Sequence, residues 1–402
     1  MKTNRQSYNL PYIIILITAL LLQACSSFHE NENDTDNDIY KFEIVEVPVT
    51  SDIMFSETEN AINDEINDFG IRTLSNIVTA KPDENIAFSP ISAITSLSIF
   101  HNTKTNVYGT GLNMGALITY DNFEDVNSTC NKLLRFLPYS KNNNCNINIA
   151  NSVWLPVVVG PQSDFKKFIN SQFYAELYHF NPNVAINENT FPERVRKWVE
   201  IKTNGEIPNY RVSGDDASAV VYNVTYFKGE WLNKFETAKT ETAIFYSPTG
   251  DISTDMMNGD FSNIQWCETN KWQSFALPFD GNYDMIFVLP NQNNYLNDVI
   301  SAFDPVNRTD CTSVDLTLRM PKFSIDNNID LSAYFDEDLG ATVKQITKLE
   351  VNENGAKAVA VTEVTDGILP IKKNLTLDHP FLYALVNRKT GSAIMMGTVC
   401  TF

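Results

Sequence analysis

The stretch that most constrains the fold of this chain lies near its C-terminus, where residues 353–370 read ENGAKAVAVTEVTDGILP. Read with the two-residue period of a β-strand, one face carries only small side chains at Ala356, Ala358, Ala360 and Thr362. The opposite face is mixed and partly charged. A strand with one small face predicts a segment that can slide between two neighbouring strands of a sheet.

The first 24 residues have the organisation of an export signal. Lys2 and Arg5 form a basic start, and Tyr12 to Leu22 is an apolar run of 11 residues, whereas spanning a bilayer takes about 20. The run ends in Leu-Gln-Ala-Cys at Cys25, which resembles the lipidation box of bacterial lipoproteins. We therefore predict a lipoprotein signal peptide at 1–24 and a lipid on Cys25 that binds the protein to a membrane. An ordinary secretory signal is the alternative.

An acidic tether and leader is predicted to follow, at residues 25–55. Residues 26–38 are polar and acidic and have little to bury. Acidic residues after a lipidated cysteine resemble a surface-export signal, so the predicted location is the bacterial outer membrane, facing the cell surface. The whole chain has a net charge of −19, which argues against nucleic acid as a partner.

The cysteines and histidines predict no metal site and no cofactor. No CxxC pair and no HExxH motif occurs in the sequence. Without Cys25, five cysteines remain, so at least one thiol stays unpaired in an exported protein. Cys130 and Cys145 are the closest pair in sequence, but spacing leaves the connectivity open.

Helices and strands are predicted in irregular order, which indicates an α+β fold with mostly antiparallel sheets over residues 56–402. Ser56 and Glu59 have the spacing of a capping box before an amphipathic helix at 57–79. The strongest strand pattern is Ala219 to Phe227. A further helix is predicted from Phe165 to Leu177 and a further strand from Leu316 to Ile325.

No set of residues has the pattern of a catalytic site. The chain has four histidines, and His379 stands beside Pro380 before a predicted strand, where a structural role is favoured. No Gly-x-Ser-x-Gly nucleophile motif is present. The sequence therefore indicates a binding or inhibitory protein and not an enzyme.

Seven segments in the same order resemble those of one family, the serpins. The resemblance runs from about residue 57 to the end of the chain. The segments lie at 88–92, 151–154, 223–231, 277–290, 320–323, 351–355 and 377–383.

This resemblance implies a monomer with three β-sheets, eight to nine helices and an exposed reactive-centre loop, in a metastable state. A serine protease, or a papain-like cysteine protease, would cleave the loop and form an acyl-enzyme ester. The loop would then insert into the main sheet and trap the protease. The implied hinge comprises Glu353, Gly355, Ala356, Ala358, Ala360 and Thr362. A non-inhibitory serpin that acts as a carrier is the alternative.

The resemblance also implies a cluster of residues that controls the opening of the main sheet. Its members are Ser89, Pro90, Ser92, Asn223, Trp231 and Gln345. The family usually has histidine where Gln345 stands, and an amide can both donate and accept hydrogen bonds in its place. Asp366 is a further departure, because it shares the small face of the hinge and its charge is costly to bury.

The position of the cleaved bond stays open within a few residues. The family spacing places it after Leu369, but Pro370 follows, and most proteases cleave poorly before proline. Ile368–Leu369 is favoured, which suits elastase-like, subtilisin-like or papain-like proteases. Lys372 and Lys373 offer a trypsin-like alternative.

Overall fold

The computed structural model describes most of the chain after residue 41. The described residues are 42–108, 118, 123–139, 144–161, 163–181, 190–212, 219–291, 294–305, 311–334, 342–353 and 371–402. They belong to one compact unit, Phe42–Phe402. The signal peptide, Cys25 and the first part of the tether lie outside them.

Six α-helices and fourteen strands lie in the described residues. The helices are α1 (Glu57–Ala80), α2 (Pro90–Tyr108), α3 (Phe123–Phe136), α4 (Phe165–Phe173), α5 (Phe191–Lys202) and α6 (Leu296–Ile300). The strands are β1 (Ile86–Phe88), β2 (Cys145–Pro156), β3 (Ala175–Phe180), β4 (Val220–Gly229), β5 (Glu241–Ser247), β6 (Gly250–Glu268), β7 (Trp272–Pro278), β8 (Tyr283–Pro290), β9 (Thr312–Pro321), β10 (Phe323–Asp330), β11 (Thr342–Val351), β12 (Ile371–Thr376), β13 (Phe381–Asn387) and β14 (Ala393–Val399).

The predicted capping box is present at the start of α1. The Ser56 hydroxyl accepts from the Glu59 amide at 3.1 Å, and the Glu59 carboxylate accepts from the Ser56 amide at 2.7 Å. The helix buries its apolar face, which includes Ile62, Ile66 and Phe69. The pattern of caps and apolar spacing therefore located this helix to within one residue at its C-terminal end.

The larger sheet has nine strands in the order β1-β14-β13-β8-β7-β6-β9-β12, with β5 paired to β6 beside this path. The 19-residue β6 pairs with β5 at its start, with β9 along its middle and with β7 at its end. This long strand joins two groups of strands by continuous hydrogen bonding. The described residues therefore form two sheets where the resemblance implies three.

The smaller sheet has five strands in the order β10-β11-β4-β2-β3. The main core lies where α1 and α2 pack against β14 of the larger sheet and α2 also packs against β4 of the smaller one, with α3 packed on both helices. A second apolar cluster lies between α5 and the outer face of the smaller sheet and contains Trp198, Tyr222, Val224 and Ile346. The smaller sheet is thus covered on both faces.

Two predicted elements are wrong in their extent. The helix expected to reach Leu177 ends at Phe173, because Tyr174 adopts a left-handed backbone (φ 52°) and β3 begins at Ala175. The strand expected from Leu316 to Ile325 is two strands, β9 and β10, which pair with different sheets on either side of Lys322. The strand at Ala219–Phe227 is confirmed as β4.

Residues 42–55, the described part of the predicted tether and leader, run without helix or strand along the folded unit. The Thr50 amide donates to the Arg135 carbonyl at 3.0 Å, and the Val45 amide donates to the Glu176 carboxylate at 3.2 Å. This segment is therefore fastened to the body of the protein. In the described ranges, no helix is both long and apolar enough to cross a bilayer.

Candidate functional site

The candidate site is the boundary between β4 and β11 in the middle of the five-stranded sheet. These strands are parallel neighbours, paired from Val220–Thr342 to Phe227–Leu349. Every other neighbour of either strand is antiparallel to it. A strand that reversed direction after β11 and entered this boundary would be antiparallel to both neighbours. We call this boundary the slot.

The segment with the small face follows directly on β11. Residues 354–370 connect Glu353 to β12, which is an edge strand of the larger sheet and pairs in parallel with β9. The hinge residues Gly355, Ala356, Ala358, Ala360 and Thr362 lie outside the described residues. So do the predicted cleavage residues Ile368, Leu369 and Pro370.

A buried polar cluster lies beneath the slot and fastens β11 to the turn before α2. The Gln345 side chain on β11 is fully buried and makes two hydrogen bonds to the backbone of Ser89. Its carbonyl accepts from the Ser89 amide at 2.9 Å, and its amide donates to the Ser89 carbonyl at 2.9 Å. The Thr347 hydroxyl donates to the Ala87 carbonyl at 2.6 Å. The Gln345 side chain thus bonds both the backbone N–H and the backbone C=O of Ser89.

The first turn of α2 is bonded to β4 by a separate chain of side chains that begins at Ser92. Ser92 and Thr225 hydroxyls lie 2.6 Å apart, and Thr225 donates to the Asn223 side chain at 3.1 Å. Asn223 in turn donates to the Asn151 side chain on β2 at 2.8 Å. Gln345 and Asn223 face each other across the slot in register. Ser89, just before α2, therefore bonds one wall of the slot, and Ser92, in the first turn of α2, bonds the other. Pro90, the first residue of α2, lies between them in sequence.

Sequence reasoning missed three members of this cluster, namely Asn151, Thr225 and Thr347. A signal for two of them was present, because side chains two residues apart on a strand share a face. Thr225 follows Asn223 by two residues, and Thr347 follows Gln345 by two. The strand period thus extends the cluster along both walls.

Trp231 lies at the end of the slot where β11 gives way to the hinge. Its ring is 2% exposed and stacks on Phe279 with centroids 4.1 Å apart. Its indole nitrogen donates to the Asn352 carbonyl at 2.9 Å. This bond fixes the backbone one residue before Glu353.

Glu353, the first predicted hinge residue, is held by its side chain. Its carboxylate accepts from Thr240 at 2.7 Å and forms an ion pair with Lys322 at 3.3 Å. Burial raises the pKa of the Glu353 carboxyl, but the hydrogen bonds from Thr240, its own backbone and Lys322 outweigh it and hold the pKa below its ordinary value. The hinge therefore begins from an anchored, ionised residue.

The lysines of the trypsin-like alternative lie in β12. Lys372 and Lys373 pair in register with Asp315 and Leu316 of β9. Lys373 also forms an ion pair with Glu268 at 2.8 Å and stands over the Trp266 ring. The peptide bonds that a trypsin-like protease would cleave after these lysines therefore lie within a paired strand of the larger sheet.

The cysteines divide into one disulfide and three buried thiols among the described residues. Cys267 and Cys311 are joined, with Cα atoms 4.4 Å apart, at neighbouring ends of β6 and β9. Cys130 and Cys145, the closest pair in sequence, are separate thiols, and so is Cys400. Burial raises the pKa of Cys130 and Cys145 to about 12 and that of Cys400 to about 11.

His379 is held by two neighbours. Nδ1 lies 2.9 Å from the Asp378 carboxylate, and Nε2 lies 3.1 Å from the Pro290 carbonyl. These contacts fit the structural role predicted for it. Within the described part of the chain, no group of three or more histidine, cysteine or acidic side chains could hold a metal ion.

A family model identifies the architecture around the slot. The model described as Serpin (serine protease inhibitor) matches residues 64–342 and 339–402. The chain belongs to the serpin family. Its fold is the α+β serpin fold, as the sequence resemblance implies.

Relatives of this serpin are distant in sequence but nearly complete in coverage. Neuroserpin of Gallus gallus is 25% identical over 395 residues, which cover 85% of this chain and 92% of that protein. The native stressed conformation of Arabidopsis AtSerpin1 is 19% identical with a TM-score of 0.73, and covers 87% of this chain and 99% of that chain. Human thyroxine-binding globulin is 21% identical with a TM-score of 0.70, and covers 86% and 99%.

Proposed function

We propose that this serpin is a suicide-substrate inhibitor of serine endopeptidases, and of papain-like cysteine endopeptidases as a second class. The observation that carries the proposal is the closed slot. β4 and β11 are parallel neighbours, and the segment with the small face leaves β11 at the end of that slot. A strand inserted there is antiparallel on both sides, the arrangement with the stronger hydrogen bonding per residue.

The protease performs the first step with its own nucleophile. It attacks a carbonyl in 366–370 and expels the amine of the following residue, which leaves an ester between protease and serpin. Cleavage releases the constraint that holds residues 354–370 between β11 and β12. The upstream half then enters the slot and carries the esterified protease with it, and the distorted protease cannot complete hydrolysis.

The geometry gives an approximate size for the driving force. Insertion replaces one ladder of eight residue pairs by two ladders of the same length. The net gain is about eight hydrogen bonds at about 1 kcal/mol each, so roughly 8 kcal/mol. With an unfolding entropy of about 2.1 cal/mol/K per residue, the cleaved form should melt roughly 10 °C above the native form.

The favoured targets are elastase-like, subtilisin-like and papain-like proteases that cleave Ile368–Leu369. This preference is supported by the position of Lys372 and Lys373, since a protease binds its substrate as an extended, unpaired strand and these lysines are paired in β12. A trypsin-like protease would first have to detach β12 from β9.

The test is incubation of the purified chain with subtilisin, elastase and trypsin. The expected result is an SDS-resistant covalent complex with subtilisin or elastase, and intact mass identifies the cleaved bond. Ala358→Glu should still be cleaved but form no complex, since its charge enters the small face. Val359→Glu, on the opposite face, is the matched control and should retain the complex. Cleavage by all three proteases with no complex and no rise in melting temperature would refute the proposal.

A carrier serpin is the second candidate function, favoured by Asp366. This residue shares the small face of the hinge, where a buried, unpaired charge opposes late insertion. A carrier predicts cleavage without a gain in thermal stability. Asp366→Ala restores the gain if this charge alone prevents insertion.

The proposal extends to the location of the protein, a lipoprotein on the outer membrane of a bacterium that faces the cell surface. It is supported by the basic start, the short apolar run and Cys25. The wild-type chain should partition into detergent and Cys25→Ser should not. External protease on intact cells distinguishes the outer face from the periplasm.

A further inference from the structure

A turn after α5 lies over the outer face of the slot and contacts both of its walls. Asn204 (φ 52°) and Gly205 (φ 80°) adopt left-handed backbones that end the helix and redirect the chain. The Thr203 hydroxyl accepts from the Ile207 amide at 3.0 Å, which fixes the turn. Glu206 stands at its centre.

Glu206 is bonded to β11 through its backbone. Lys348 lies on the outer face of β11, and its ammonium donates to the Glu206 carbonyl at 2.6 Å. Lys348 also faces Tyr226 of β4 in register. A bond from β11 thus ends on a turn that lies above the neighbouring strand.

Glu206 is bonded to β4 through its side chain. The carboxylate forms an ion pair with Lys228 at 3.2 Å and interacts with the side chain of Tyr226. Burial raises the pKa of the Glu206 carboxyl, but the bonds from Lys228 and Tyr226 outweigh it and hold the pKa below its ordinary value. We call these four residues, Glu206, Tyr226, Lys228 and Lys348, the Glu206 bridge.

The geometry of insertion requires this bridge to break. Neighbouring strands lie about 4.8 Å apart, so a strand that enters the slot moves β4 and β11 to about 9.6 Å. The Lys348 ammonium lies 2.6 Å from the Glu206 carbonyl. This hydrogen bond must break when β11 moves away from β4 by that distance while the Glu206 carboxylate stays bonded to β4.

We propose that the Glu206 bridge is a latch on the outer face of the slot that sets the rate of loop insertion. The inference rests on the proposed insertion mechanism. Gln345 and Ser89 fasten the inner face, so the latch completes the closure on the other side. Because insertion competes with hydrolysis of the ester, the latch also sets the fraction of serpin that the protease consumes as an ordinary substrate.

The chain supplies a matched control for the latch. Lys344 lies on the same strand and the same face as Lys348, but its ion pair is with Asp330 of β10, at 3.4 Å. β10 and β11 form an antiparallel pair that insertion into the slot does not separate. Loss of the Lys344 charge therefore tests the effect of removing a lysine whose ion pair does not cross the slot.

The experiment measures how fast the intact protein converts, on gentle warming, to a form that resists concentrated urea. Lys348→Met should convert about tenfold faster than wild type, since it loses a charged hydrogen bond. Glu206→Ala should convert about threefold faster, through loss of the ion pair with Lys228. Lys344→Met should stay within about twofold of wild type.

The decisive measurement is whether the effects of Lys348→Met and Glu206→Ala on the conversion rate depend on each other. Once Lys348 is methionine, the Glu206 side chain no longer connects the two walls, so Glu206→Ala should add nothing in the double variant. Additive acceleration, or an unchanged rate in Lys348→Met, overturns the latch. If Lys348→Met fails to fold, Lys228→Met breaks the β4 end from an exposed position and replaces it. A wild-type chain that never reaches the urea-resistant form, even after cleavage, refutes the proposed function instead.

Discussion

Replacement of Gln345 by leucine measures how much the buried polar cluster beneath the slot contributes to the stability of the protein. Leucine has a similar volume and no polar group, so Gln345→Leu leaves the buried Ser89 amide without its partner. The Ser89 carbonyl loses the bond from Gln345 but still accepts from the Ala93 amide at 3.0 Å. The orphaned amide costs about 1–3 kcal/mol and the lost bond to the carbonyl about 1 kcal/mol, so the two together cost about 2–4 kcal/mol. At about 2.1 cal/mol/K per residue, the unfolding entropy of residues 42–402 is roughly 0.8 kcal/mol/K. The melting temperature of the native form should therefore fall by about 3–5 °C.

Differential scanning fluorimetry of the uncleaved protein measures this change. Gln273→Leu is the matched control, because within the described residues the Gln273 amide bonds to a side chain, that of Asn291, at 3.1 Å, and not to a buried backbone group. It should melt within about 1 °C of wild type. A melting temperature for Gln345→Leu that is also within about 1 °C of wild type would contradict the reasoning, since the Ser89 amide would then find another partner.

Three further predictions follow from contacts outside the slot. Glu59 is bonded to Ser56, Ser128 and Lys132, and although burial raises its pKa, these bonds outweigh it and lower the pKa below its ordinary value. The stability that the Glu59 carboxylate contributes is therefore complete above about pH 5 and lost as the pH falls through the folded pKa. Denaturant titrations should show that Glu59→Gln loses less stability than wild type over this fall in pH. Cys267→Ser/Cys311→Ser opens a loop with a sequence separation of 44, and should lower the free energy of unfolding by about 4 kcal/mol, measured by urea titration against the oxidised wild type. Trp231→Phe keeps a ring to stack on Phe279 but loses the bond to the Asn352 carbonyl, and should lower the melting temperature by about 1–2 °C; no change would mean that the bond adds nothing.

Elements with local signals were predictable from the sequence. The capping box at Ser56 and the β-branched run before Phe227 act over a few residues, and the structure has α1 and β4 there. The end of α4 was not predictable, because Tyr174 adopts the left-handed backbone without being glycine. β6 was missed for a different reason: it changes partner twice along its length, so its buried residues follow no single period.

The residues of the candidate site likewise divide into those that were named from the sequence and those that were not. Ser89, Asn223 and Gln345 were named from resemblance, and the structure brings them together around the slot. The disulfide and the Glu206 bridge were not foreseen, because each joins residues far apart in sequence that only the sheet register brings together. Spacing in sequence left the disulfide connectivity open, and the folded chain joins Cys267 to Cys311 while Cys130 and Cys145, the closest pair in sequence, stay thiols.

If the protein acts as proposed, the parallel pairing of β4 with β11 determines how much protease a given amount of it can remove. The five-stranded sheet has this one parallel pair beside the start of residues 354–370, and the proposed insertion would convert it into two antiparallel pairs. No step of the proposed mechanism regenerates the starting state, so each molecule would act once. Residual protease activity should fall in a straight line as serpin is added and reach zero at a sharp equivalence point. Supply of new protein, and not binding affinity, then limits protection.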